Sequence, residues 1–216
     1  MLRLFTPVAI VCDRTMLREA DALRGVLESF RLHVDFYYFV QKRQILDFFS
    51  QQRNYAYTII FCHGSGETTE DMHLRLEVVD QEDGDYDTPG DKGWDHIVVE
   101  LTPAKIAKYV QNRDGTLLST ACGSGREPIA EAFLKSGYQS YIAPVHPDDP
   151  EEIYVDLDSS LVFFTNFFYY IMDGVDRDYS TTTYTEQEAA EKAAQLDPHF
   201  RFGTKIFKRY TEKENT

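Results

Sequence analysis

Tyr57-Thr58-Ile59-Ile60-Phe61-Cys62-His63-Gly64 is a run of apolar, β-forming residues that stops abruptly on a histidine and a glycine. Thr116-Leu117-Leu118-Ser119-Thr120-Ala121-Cys122-Gly123-Ser124-Gly125 does the same and stops on a cysteine among small residues. Continuous apolar runs of this length are the pattern of strands covered on both faces, as in a parallel sheet. In such sheets, ligands and chemistry gather beyond the carboxyl ends of the strands. A cysteine and a histidine delivered to that edge make a candidate nucleophile and acid–base pair.

Outward from these two runs, strands and helices alternate. Val8-Ala9-Ile10-Val11 predicts a first strand. Leu17, Ala20, Leu23, Val26, Leu27 and Phe30 form a helical stripe over residues 16–30. Residues 33–40 are rich in β-formers and 42–53 return to helical spacing. Thr102 and Pro103 form a helix start, with Thr102 at N-cap and Pro103 at N1. Helices are also expected over 127–135, closed by Gly137, over 159–172 and over 185–194, with a strand at 138–145. We therefore expect an α/β fold, a three-layer sandwich with a mostly parallel central sheet. A single domain over 1–210 and a frayed, charged tail over 211–216 complete the expectation.

Residues 74–101 break the alternation. Leu74, Leu76 and Val78-Val79, then Ile97-Val98-Val99, predict a β-hairpin inserted between the histidine and cysteine strands. Between its strands lies the acidic stretch Asp80–Asp91. Its oxygen ligands would suit a hard cation such as Ca²⁺, but the spacing is not that of an EF-hand loop. A solvated loop is the simpler reading.

Composition narrows the function. The 216 residues are 43% hydrophobic and 14% aromatic, as in a globular domain with a sizeable core. A formal net charge of −14 argues against nucleic acid as a partner, because phosphate binding needs a basic face. The apolar stretch 161–172 is shorter than the ~20 residues that span a bilayer, so no membrane partner is expected. Three cysteines without regular spacing do not form a disulfide framework and suit a cytoplasmic location. Cys12 and Cys62 read as small core residues.

The chemistry at Cys122 follows from its surroundings. A cysteine attacks as its thiolate, and free backbone N–H groups in a strand-to-helix turn favour that form. The N–H groups of Gly64 and Cys122 would form an oxyanion hole, with His63 as acid and then base. No organic cofactor is required. A zinc site from Cys62, His63 and Cys122 fits no zinc spacing, and adjacent strand residues point to opposite faces. Gly123-Ser124-Gly125 after a strand invites a nucleotide-binding reading, yet neither the G-x-G-x-x-G pattern nor a P-loop lysine is present.

A hydrophobic strand ending in His63-Gly64, then one ending in Ala121-Cys122 with small residues, resembles the caspase-like clan of cysteine peptidases. The 159–172 helix is most similar to CHAT-domain members. The resemblance covers most of the chain. It implies a cysteine endopeptidase with a Cys122/His63 dyad, acting on a specific protein or peptide, with a regulatory protein partner among the expectations. The alternative is a catalytically silent scaffold of that fold that binds a protein or peptide. The spacing from His63 to Cys122 is a little longer than the roughly 50 residues of caspases. Caspases have Gln-Ala-Cys with Gly two residues after the cysteine, and metacaspases have Asp two before it. This chain has Thr120 and Ser124 at those places. The resemblance places Asp13 and Arg14 at the S1 pocket, with opposite implications: Asp13 would select a basic P1 residue, Arg14 an acidic one. The acidic chain, with Asp148 and Asp149 in the loop after the 138–145 strand, tips the expectation toward Asp13 and a basic P1. Thr120, His146 and Asp148 complete the expected substrate-binding set.

Overall fold

A computed structural model describes residues 6–66, 71–80, 95–111, 113–145, 155, 157–172, 184–196 and 207–211. The chain is an α/β structure built on a six-stranded, mostly parallel sheet. In chain order the elements are β1 (Pro7–Cys12), α1 (Leu17–Ser29), β2 (His33–Tyr38), α2 (Lys42–Ser50), β3 (Tyr57–Phe61), β4 (His63–Ser65), β5 (His73–Asp80) and β6 (Asp95–Leu101). They continue as α3 (Pro103–Tyr109), β7 (Thr116–Ser119), α4 (Glu127–Lys135), β8 (Ser140–Pro144), α5 (Leu157–Ile171), α6 (Glu186–Gln195) and β9 (Phe207–Thr211).

The main sheet has the order β2-β1-β3-β7-β8-β9. Its first five strands are parallel, and β9 closes the edge antiparallel to β8. The central strands β1, β3, β7 and β8 are buried along nearly their whole length, which explains their unbroken apolar sequence. One face packs Ile45, Phe48 and Phe49 of α2, Ile106 of α3 and Ile129 and Phe133 of α4 against the sheet. The other face packs Leu23 and Leu27 of α1, the four phenylalanines 163, 164, 167 and 168 of α5, and the alanines of α6. Two helical layers thus sandwich the sheet. The predicted N-cap is present: Thr102 Oγ1 accepts from the Lys105 N–H at 3.3 Å.

Two expectations are corrected. The run ending at His63 is not one strand. β3 stops at Phe61, and after Cys62 the chain starts β4, which leaves the main sheet and pairs with β5. The expected insertion therefore becomes a separate three-stranded antiparallel sheet, β4-β5-β6, with His63 on its first strand. Thr211, read as the start of a frayed tail, ends β9 instead, pairing with Ser140. The sequence gives β9 only five residues with two charges (Lys208, Arg209), too few for a clear alternation. Residues 212–216, and the acidic stretch 81–91, lie outside the described residues.

Candidate active site

β1, β3 and β7 run side by side in register, so Cys12 pairs with Phe61 and Ile60 with Ser119. The residues that follow these strand ends meet at one edge: Asp13 after β1, Cys62 and His63 after β3, Thr120 to Cys122 after β7.

Thr120 stitches two of these ends together. Its N–H donates to the Ile60 carbonyl at 3.0 Å, and its Oγ1 accepts from the Cys62 N–H at 3.2 Å. The side chain is buried, so the expected substrate contact is replaced by a structural one. The chain then reverses. Ser124 N–H donates to the Ala121 carbonyl at 3.1 Å, and Gly123 takes φ +64 at the third position. That is the turn pattern that favours glycine there, and its closing bond leaves the Cys122 N–H uncommitted by the turn. The turn is braced from below. Ser124 Oγ donates to Ser119 Oγ at 3.0 Å, the Tyr141 hydroxyl to the Ser124 carbonyl at 3.2 Å, and the Tyr210 hydroxyl to the Gly125 carbonyl.

Cys122 is half-buried, while Cys12 and Cys62 are fully buried. Burial, reinforced by Asp13, pushes the Cys12 thiol up to about 12 and the Cys62 thiol well above its ordinary value. Both are therefore inert near neutral pH. The thiol of Cys122 meets backbone: the Val155 N–H donates to Sγ at 3.4 Å, and the Val155 carbonyl lies 3.9 Å from it.

His63 is placed beside this turn by its neighbour. A Cβ on Gly64 would lie 1.9 Å from the Cys122 carbonyl oxygen, so only glycine permits the approach. No direct hydrogen bond joins His63 to Cys122 among the described residues. The imidazole is instead held from behind, where Nε2 lies 3.1 Å from Thr15 Oγ1. The Thr15 hydroxyl donates to Asp13 Oδ1 at 2.6 Å. That donation uses the hydroxyl's one proton, so its oxygen accepts from His63 Nε2–H. In the neutral ring the proton is then on Nε2, and Nδ1 is the basic nitrogen.

Asp13 is not a pocket residue. It is 0% exposed, and its carboxylate also accepts the N–H groups of Thr15 at 2.9 Å, Met16 at 3.2 Å and Glu77 at 2.8 Å. Both oxygens are engaged inside the protein, which corrects its expected role in binding a basic P1. Arg14 is exposed at the same corner. His146 and Asp148 lie outside the described residues. Thr15 went unread in the sequence, and the signal was local: Asp-x-Thr directly after a strand is a turn-forming pair whose hydroxyl and carboxylate bond each other.

A cleft of about 620 Å³ opens at the opposite, amino edge of the sheet, lined by Tyr55, Tyr57, Gln139 and Glu186 among others. It is remote in the fold from Cys122, and the placement of Cys122 and His63, not this cleft, marks the candidate site. Among the described residues, no group of three His, Cys, Asp or Glu side chains is arranged to hold a metal ion, and no helix is long and apolar enough to cross a membrane. No protein-family model matches the chain, and no curated protein matches it.

Proposed function

We propose that the chain is a caspase-like cysteine endopeptidase with Cys122 as nucleophile and His63 as acid–base. The observation that carries this reading is the oriented imidazole: Asp13, Thr15 and His63 form one hydrogen-bonded line that ends beside the Cys122 turn. A structural histidine needs no such line, whereas a general base needs a fixed tautomer and a third group behind it.

In this mechanism the Cys122 thiolate attacks the scissile carbonyl carbon, and an S–C bond forms. The oxyanion takes hydrogen bonds from the N–H groups of Gly64 and Cys122. The C–N bond then breaks, and protonated His63 gives its proton to the leaving amine. Neutral His63 next takes a proton from water, which attacks the thioester and releases the acid and the thiol. The reading includes a protein or peptide substrate, a regulatory protein partner, a cytoplasmic setting and no organic cofactor, with similarity to CHAT-domain proteases. Ca²⁺ at the acidic stretch belongs to the same proposal.

One observation favours the silent-scaffold alternative. The Val155 backbone lies against the thiol where a substrate would approach. A fluorogenic peptide panel varying P1 (Arg, Lys, Asp, Asn, Leu), with and without Ca²⁺ and beside a Cys122→Ala control, separates the two. Cleavage lost in the control supports the peptidase. Undiminished cleavage by a pure Cys122→Ala protein overturns the mechanism, and silence across the panel shifts the reading to the scaffold.

A further inference from the structure

His63 faces a charged neighbour across the small sheet. In the β4/β5 register, His63 lies directly opposite Arg75. Opposed residues of an antiparallel pair project to the same face, with Cβ atoms about 4.5–5.5 Å apart. On β5 that face carries half-buried His73, Arg75 and Glu77, while Leu74, Leu76 and Val78 turn into the core. The same strand approaches the end of β1, where the Glu77 N–H donates to Asp13. Arg75 therefore stands on the flank of the imidazole, at the corner that Asp13, Arg14 and Thr15 also occupy.

We propose that Arg75 is a specificity residue that takes an acidic side chain of the substrate flanking the scissile bond. The inference rests on the peptidase reading and names its substrate class.

The charge count at this corner favours an acid. Asp13 is saturated by internal donors and buried, so it offers nothing to a basic side chain. Among the described residues, Glu77 is the other carboxylate on the His63 side of β5, and it is paired with Arg75 through Nη2–Oε1 at 3.1 Å. Glu100 opposes Arg75 from the side away from His63, and it lies 3.8 Å from His73 Nε2 and 3.9 Å from Lys105 Nζ. A basic substrate group would have to share Glu77 while sitting beside Arg75. An acidic group meets the opposite situation. A guanidinium has five N–H donors, and Glu77 takes only one contact of this one.

The resting guanidinium is also incompletely satisfied. The Arg75 side chain is 43% exposed, yet its Nε is buried with no hydrogen-bond partner among the described residues. An unmade bond at a buried charged donor costs free energy. Rotation of the guanidinium onto an incoming carboxylate relieves that cost and gives the planar, two-point contact at which arginine excels. The side chain thus has a reason to move, and an acidic ligand is what it would move to.

The test uses the full chain and peptidyl acyloxymethyl ketones, in which the thiolate displaces the carboxylate leaving group and forms a thioether. Two series carry Asp, Asn or Arg either at the residue bearing the ketone or at the one before it. Labelling of Cys122 is followed by intact mass, with Cys122→Ala as control. In at least one series the Asp probe is expected to label roughly 10- to 100-fold faster than the Asn probe, the range of one charge-assisted hydrogen bond. That ratio should fall to near one in Arg75→Gln, remain partly in Arg75→Lys, and invert toward the Arg probe in Arg75→Glu. Taking a ratio of two probes on one protein cancels any change in thiol reactivity, and thermal midpoints show whether each variant folds. If Cys122 is labelled but no series prefers Asp, or the preference survives Arg75→Gln, the inference is wrong and the peptidase reading stands. If no peptidyl probe labels Cys122 while iodoacetamide does, the peptidase reading fails and takes the inference with it.

Discussion

Each end of the parallel sheet carries one carboxylate encircled by donors, and the two are used differently. At the carboxyl edge, Asp13 collects three backbone N–H groups and one hydroxyl. At the amino edge, Glu186 collects side chains only: the hydroxyls of Thr116 at 2.6 Å, of Ser140, and of Tyr57 at 3.5 Å, with Arg209 Nε at 2.5 Å. The Glu186 set closes on itself. It ties α6 to β3, β7, β8 and β9. The Asp13 set has an exit, because the Thr15 oxygen still has room for His63 Nε2–H. The same device, a carboxylate saturated by donors, fixes a fold in one place and orients a titratable ring in the other.

The contrast can be broken by substitution. Cys122→Ala should reduce peptide turnover to background with an unchanged far-UV circular dichroism spectrum. His63→Ala should do nearly the same. Thr15→Val comes next in size. It removes the acceptor for Nε2–H and leaves the three backbone bonds to Asp13, so turnover should fall by about 10- to 100-fold, the scale of a general base losing its orientation. An unchanged rate in Thr15→Val would reduce the Asp13–Thr15–His63 line to packing.

Glu186→Gln sharpens the other half of the comparison. One oxygen becomes a donor facing donors, so we expect a stability loss of about 1–3 kcal/mol by urea denaturation. Alkylation of Cys122 by iodoacetamide should proceed at the wild-type rate in this variant. A loss of Cys122 reactivity without a loss of stability would show that the two edges communicate.

A further effect is in alkali. Cys12 ionises near 12 in the folded chain against an ordinary 9.0, so the unfolded chain releases its proton first as pH rises. The contribution of Cys12 to stability is present below about pH 9 and is lost as the pH rises through about 12. Burial also raises Tyr57 and Tyr141, and pushes Tyr210 up to about 12, which extends the same slope. Denaturant midpoints should therefore fall steadily above pH 9, by at most about 1.4 kcal/mol per pH unit for each group. A flat profile to pH 11 would contradict the burial of these groups.

The parallel core was legible because β1, β3, β7 and β8 are buried on both faces, and burial writes itself as unbroken apolar sequence. β9 was not, because this edge strand buries only Phe207 fully and spends Arg209 and Tyr210 on partners far away in sequence. The pair Cys122 and His63 could be picked out by residue type and flanking glycines. The role of Asp13 could not: whether a carboxylate after a strand faces a cleft or is filled by backbone donors depends on β5, which reaches it from the inserted sheet. The pairing of Arg75 with His63 escaped for the same reason, since register across β4 and β5 is not written in either strand alone.

The anchor on the Cys122 turn has a consequence in time. Tyr210 follows Gly125 by 85 residues, yet its hydroxyl holds the Gly125 carbonyl. On the ribosome, His63, Cys122 and the strands that carry them emerge well before β9 exists. The turn that presents the thiol gains this support only when β9 has docked along β8. A chain still being synthesised thus carries both candidate residues without the finished geometry around them, and completion of the sheet edge is also completion of the candidate site.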